Sequence, residues 1–200
     1  MFEFDKDYFL KNARVELSPL TTLHEAQLFA VSNEAEIWQH FEEQGYGRDN
    51  FARYIKRALR ARGQKTEYTF VIKDLNRDQY AGMTRIYAVN NEHKNVKIGH
   101  TWIGTKFQAT GLNKNCKYLL FEFLFETLQV ERIGFGASAE NINSIKAMES
   151  VGCKQEGRLR SFLPSADGTK RVDIVLLSIL KHEWEDNAKI RLQQQLATYF

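Results

Sequence analysis

IGHTWIGTKFQATGLN, Ile98 to Asn113, is the stretch on which the reading of this chain turns. Its first half has the apolar and aromatic content of a strand, read as Val96–Gly104. From Leu112 the period changes to that of a helix, with Leu112, Cys116, Leu119, Leu120, Phe123 and Leu128 on one side over 112–128. Between them lies a loop bearing Gln108, Ala109, Thr110 and Gly111. Small residues let backbone N–H groups converge there, and the helix N-terminus adds about half an elementary charge of positive dipole. Such a turn holds an anion without a lysine. It also fits an ordinary strand-to-helix connection, and one glycine does not separate the two.

Working outward, the elements alternate. Tyr68–Ile72, Tyr80–Val89 and the strand just described are joined by the short polar turns 74–78 and 90–95, which predicts an antiparallel meander. Upstream, Arg14–Leu17 reads as a strand. Thr22 with Glu25 fits a capping box opening a helix whose apolar stripe is Leu23, Leu28 and Phe29. Asn33 and Glu36 repeat that signature before Ile37, Trp38 and Phe41. Asp49 is placed as the cap of a helix carrying Phe51, Ile55, Ala58 and Leu59. Downstream come a strand at Arg132–Ala137, a helix at Asn143–Ser150 stopped by Val151-Gly152, and strands Gln155–Phe162 and Arg171–Leu180 flanking an Asp167-Gly168 turn. A last amphipathic helix carries Trp184, Ile190, Leu192 and Leu196. The class is α+β: a mixed, mostly antiparallel sheet with helices on both faces.

Composition bounds the function. The 200 residues carry 43% hydrophobic and 26% charged side chains and a net charge of +3, which predicts one globular domain over 1–200, with a core at about 14–180 and a C-terminal helix at 181–200. That charge is too small to make a nucleic acid or a membrane surface the main partner. Cys116 and Cys153 form neither a CxxC pair nor a metal-ligand spacing, so no metal is expected. The N-terminus lacks a signal peptide's pattern, and a cytoplasmic protein is the expectation.

A second segment, ASAENINSIKAMESVGC (137–153), ends a strand and starts a helix at Asn141, with Ser144 three residues on. Alone it reads as a capped helix. In order and spacing, however, the two segments resemble the GNAT acetyltransferase superfamily, and within it the branch that acetylates ribosomal-protein N-termini. The resemblance runs from about Arg14 to the last helix. The family's Arg/Gln-x-x-Gly-x-Gly/Ala signature appears as Gln108-Ala109-Thr110-Gly111-Leu112-Asn113, departing at the last position. Its Asn-x-x-Ser appears as Asn141-Ile142-Asn143-Ser144, and its closing Gly-Phe as Gly152-Cys153. Ile98-Gly99, Trp102, Glu156-Gly157, Leu159-Arg160, Asp167-Gly168, Asp173 and Ser178-Ile179-Leu180 also match the branch.

The resemblance implies a sheet splayed at an acyl-CoA site, with acetyl-CoA as co-substrate. Its pyrophosphate would rest on Gln108, Ala109, Thr110, Gly111, Leu112 and Asn113, and its pantetheine arm on Trp102, Ile103, Gly104 and Asn141. A primary amine would attack the thioester directly, with a backbone N–H holding the developing oxyanion. The family's tyrosine acid falls at Met148, leaving Ser144 or water to protonate the thiolate. The family's glutamate before Ile-Gly is Lys97 here, so His100 is the candidate base; strand alternation puts it with Ile98 and Trp102, opposite Lys97, Gly99 and Thr101. Deprotonating an α-amine at pH 7 costs about 1 kcal/mol and a lysine about 4.6 kcal/mol, so a site without a strong base favours a protein N-terminus over a high-pKa amine.

Other residues carry two readings each. Trp38 walls an acceptor pocket or belongs to a helical core stripe. Asp173 meets an amine or pairs with Arg158, Arg160 or Arg171. The basic face of 53–62 is a solvated helix face or meets CoA's 3′-phosphate or RNA. The alternatives for the whole chain are a polyamine or aminoglycoside acetyltransferase and a non-catalytic acyl-CoA-binding module, as a monomer or homodimer.

Overall fold

The computed structural model describes residues 1–197. The expected meander is present. β3 (Glu67–Asp74), β4 (Gln79–Asn90) and β5 (Asn95–Ile103) pair antiparallel in sequence, with β1 (Leu10–Lys11) and β2 (Val15–Pro19) continuing the sheet outward. β6 (Arg132–Ser138) joins β5 in the only parallel pairing of the described residues, and β8 (Arg171–Leu180) lies between β6 and β7 (Lys154–Pro164). The order is β1-β2-β3-β4-β5-β6-β8-β7: eight strands, mixed, mostly antiparallel.

Helices cover both faces. α1 (Glu25–Ser32), α2 (Ala35–Trp38) and α3 (Arg48–Gly63) share one face with Trp102, whose ring meets Trp38 and Phe51. Its neighbour Thr101 points to the other face and takes a hydrogen bond from α4 (Leu112–Glu122). α4 runs on through a π turn, Phe123–Thr127, and α5 (Ile142–Ser150) ends at Gly152, whose φ of +103° is the left-handed stop that its sequence predicts. α6 (Lys181–Glu183), a second π turn (Trp184–Ala188) and α7 (Lys189–Ala197) close the chain. Trp184 is fully buried against Phe121 and Phe125 and donates to Glu126. The last part of the expected terminal helix, 198–200, lies outside the described residues.

Local details differ from the sequence expectations where short polar residues compete as caps. The first helical turn is capped by Thr21, one residue early, because the His24 ring accepts the Thr21 N–H at 3.0 Å. The helix therefore turns Leu23 outward, 84% exposed, rather than into the apolar stripe. Asn33 caps no helix; its side-chain oxygen accepts from Gly47 N–H at 3.2 Å, and Glu34 occupies the cap of α2. Gly47, at φ +84°, is the cap of α3, which places Asp49 inside the first turn, where its charge still favours the dipole. Ile190 also faces out.

Candidate functional site

β5 and β6 pair at only three positions, Asn95↔Arg132, Val96↔Ile133 and Lys97↔Gly134, and then diverge. Each keeps its outer neighbour: Trp102 stays opposite Met83, and Ser138 opposite Ile174. The sheet is thus split, with unpaired main chain on both lips. Gly104 N–H donates to Ala81 on β4, so the groups of Ile103 point the other way, into the split. Its carbonyl accepts the Gln108 side-chain amide at 2.9 Å, and its N–H is left facing the wedge.

At the top of the split β5 carries a bulge. Arg85 opposes Gly99 and Met83 opposes Trp102, so His100 and Thr101 share the single partner Thr84. His100 takes the extra position in a left-handed conformation, φ +48°, which costs a non-glycine residue strain. The bulge corrects the strict alternation. His100 lies with Gly99 rather than with Ile98, its ring 5.5 Å from that of Tyr87, against which a Gly99 side chain would also press. Burial, helped by the charges of Arg85 and Arg57 and opposed by Glu67, pushes the His100 pKa down to about 4. At neutral pH the ring is uncharged and a weak proton acceptor.

The loop ahead of α4 presents the donors. Gln108 N–H is used internally, by Thr105 carbonyl at 3.0 Å. Among the described residues no protein acceptor takes the backbone N–H of Ala109, Thr110, Gly111, Leu112, Asn113 or Lys114. Positive φ at Ala109 (+57°) and Gly111 (+80°) bends the chain into that turn. Asn115, buried, pins it: Nδ2 donates to Gly111 carbonyl at 3.1 Å, and Oδ1 accepts from Asn12 at 3.0 Å. Arg77 braces the other side, donating to Lys106 carbonyl at 2.6 Å over the Phe107 ring. These residues fit a diphosphate, which needs several convergent donors and here meets six unclaimed amides at a helix start. Asn115 and Arg77 were not singled out from the sequence. A polar residue on the buried side of α4 is the signal that marks Asn115; nothing marks Arg77.

The remaining residues are placed as follows. Asn141 Oδ1 accepts Ser144 N–H at 3.0 Å, capping α5, so its free amide nitrogen is what remains for a ligand. Ser144 is half-buried and Met148 buried. Trp38 is 1% exposed, packs on Phe41, Tyr54 and Trp102, and donates to Ser32 carbonyl; the structure gives it the core position. Asp173 takes the pairing position, accepting from Arg158 at 2.7 Å and from Ser161 N–H.

On the α3 face the structure assembles a cluster that sequence reasoning missed. Arg85, fully buried, donates to Glu67 at 2.8 Å and lies 4.4 Å over the Tyr54 ring. Glu43, half-buried, pairs with Arg57 at 3.1 Å; burial pushes its carboxyl up, against the pull of Arg57 and Arg85. The same charges act on His100.

The site thus combines a split sheet, a donor-lined turn at a helix start and a second capped helix beside them. The acetyltransferase (GNAT) domain model matches residues 14–154, and the chain belongs to that family. It is 30% identical over 104 residues to "Putative ribosomal N-acetyltransferase YdaF" of Bacillus subtilis, a match covering 52% of this chain and 55% of that protein, so the chain spans about half the length of that relative. A crystal structure described as a "putative acetyltransferase", from T. thermophilus, superposes with a TM-score of 0.85 at 26% identity, over 98% of this chain and 100% of that one. Spermidine N-acetyltransferase from Vibrio cholerae, solved with CoA and spermine, shares the fold at 18% identity and a TM-score of 0.71, over 87% of this chain and 99% of that one. No helix among the described residues is long and apolar enough to cross a membrane.

Proposed function

We propose that this protein transfers the acetyl group of acetyl-CoA to a primary amine, by direct attack with both substrates bound, and that its preferred acceptor is the α-amine of a protein N-terminus. The observation that carries the reading is the run of unclaimed amides from Ala109 to Lys114 beside the open split. Bound there, acetyl-CoA supplies an activated acyl carbonyl. The chain's residues do the rest. Ala109 to Asn113 hold the diphosphate, with Gln108 fixing the turn through its bond to Ile103. Ile103 N–H and the amide of Asn141 bind the pantetheine arm alongside Trp102 and Gly104. The unpaired N–H groups of β5 beside the bulge stabilise the carbonyl oxygen as it gains charge.

The acceptor class follows from proton affinity. With His100 pushed down to about 4, the ring accepts a proton from an ammonium group only against a steep gradient. Glu43, raised by burial, is the carboxylate on that face whose proton affinity suits it to accept the proton, with water as the carrier. An α-amine, at about 7.7–8.0, is already partly neutral at pH 7, whereas a lysine or polyamine nitrogen near 10 is not. The likeness to a protein named for ribosomal acetylation supports the same choice. Titrating free thiol with acetyl-CoA and a panel of N-terminal peptides, polyamines and aminoglycosides tests it. Release with peptides above the other amines supports the reading, and no release with any amine overturns catalysis. Preference for spermidine overturns the acceptor choice alone. Tight acetyl-CoA binding by calorimetry without turnover would select a binding module.

A further inference from the structure

Lys117 stands on the α4 side of the split and has no part in the reading above. Its side chain is 5% exposed, its Nζ lies 3.1 Å from Thr101 Oγ1 on β5, and it sits 5.7 Å from the centre of the Phe135 ring on β6. It therefore bridges the two strands just past Lys97↔Gly134, where their own pairing stops. Thr101 passes the contact to Thr84 at 2.8 Å, so the amine's one partner is a neutral hydroxyl pair. Among the described residues no carboxylate pairs with it. The ionisable groups that act on it are the thiols of Cys116, on its own helix, and Cys153, after α5. Burial pushes these up to about 11 and about 12, so neither is an anion at neutral pH. Burial also lowers the Lys117 pKa, as a cation without a counter-charge requires. A buried ammonium with one neutral acceptor and unused donors is costly unless an anion arrives to meet it.

The geometry points to Lys117 as the group that receives the departing thiolate, an inference that rests on the acetyl-CoA reading. As the C–N bond forms and the C–S bond breaks, the electron pair of the C–S bond goes to sulfur. Lys117, as its ammonium, pairs with that sulfur and holds it as a thiolate. The proton lost by the acceptor nitrogen leaves through water to solvent, and the ammonium–thiolate pair separates as free CoA takes up a proton, so atoms and charge balance. This fills the place of the absent phenol at Met148 with a residue from the opposite side of the split. The pairing is worth about a tenfold or greater preference for a thiol-bearing ligand.

The test uses CoA and desulfo-CoA, which differ only in the thiol, with the full chain. Calorimetry on the wild type is expected to show CoA bound at least about tenfold more tightly than desulfo-CoA at pH 8. A CoA-minus-desulfo-CoA ultraviolet difference spectrum is expected to show thiolate absorbance at pH 7, below the ordinary thiol pKa of about 8.5. Lys117→Met, of similar length, removes both signals while leaving desulfo-CoA affinity within about twofold. Equal binding of the two ligands by the wild type, or retention of the preference in Lys117→Met, overturns the role of Lys117 and leaves the acetyl-CoA reading intact. Failure of both ligands to bind the wild type overturns both. If Lys117→Met does not fold, the two wild-type measurements still decide.

Discussion

On the α3 face of the split, Arg85 donates to Glu67 and Arg57 to Glu43; on the α4 face, Lys117 donates to the hydroxyl of Thr101. Each face buries one cation near the same bulge, Arg85 on one and Lys117 on the other, whereas Arg57 is exposed. One supplies its buried cation with a carboxylate and the other supplies none. The Arg85 guanidinium has a counter-charge in the resting protein, although its Nε and Nη2 find no acceptor among the described residues, and these charges set a fixed field around His100. A cation without a counter-charge is unsatisfied until a ligand brings one. Neighbours on one strand thus meet different electrostatic surroundings according to the face they point to.

That contrast can be broken at either side. The largest effect is expected from Glu67→Ala. It strands the fully buried Arg85 guanidinium and lowers stability by about 3–5 kcal/mol in urea denaturation. A loss under about 1 kcal/mol would mean the pair does not hold the face. Next is Thr101→Val, which takes the one acceptor from Lys117. It is expected to cost about 1–3 kcal/mol and to lower the Lys117 pKa further, read by thermal melts and by amine-selective labelling against pH. A melt unchanged from wild type would show that the hydroxyl is dispensable. Gly111→Ala tests the donor turn between the faces. Its φ of +80° disfavours a side chain by about 1–2 kcal/mol, and CoA affinity is expected to fall with it. Unaltered CoA titration would detach the turn from cofactor binding.

Smaller still is a pH effect. The folded-state pKa of His100, about 4, lies below its ordinary 6.5, so between those values the unfolded chain binds more protons. Stability then falls as pH drops from about 6.5 towards about 4. Glu43, raised from 4.5, acts with the opposite sign, so the readout is the difference between wild type and His100→Gln, whose profile should be flatter in that window. Parallel profiles would show that His100 is not held neutral. Asp173→Ala, at an exposed pair with Arg158, is expected to cost no more than about 1 kcal/mol by thermal melt and to leave CoA binding alone. A large loss of amine turnover instead would return Asp173 to the acceptor site.

Much of this was legible along the chain. The meander followed from alternating apolar residues and short turns, and the donor turn from one stretch in which a strand gives way to a helix. Asn141 and Ser144 were placed beside each other by a capping spacing that the structure realises. The caps at Thr22 and Asn33 were not, because Thr21 finds His24, and Asn33 finds Gly47, fourteen residues away. Trp38 shows another limit. An aromatic in a helix reads equally as core or pocket until the strand opposite is known, and here Trp102 fills that place.

Short-range chemistry specifies which segments extend, which coil, and where a run of small residues leaves amides without partners. How neighbours share a face is settled by the folded sheet. The bulge at His100 is a mismatch of count between two strands, so no window on one strand contains it, yet it keeps the imidazole with Trp102, brings Gly99 to that face and turns Ile98 and Thr101 to the other. Lys117 is an ordinary helix lysine until β5 and β6 part above it. The cost of burying its charge is set by what those strands bring, a hydroxyl and a ring rather than a carboxylate, and solvation of that kind belongs to the assembled fold.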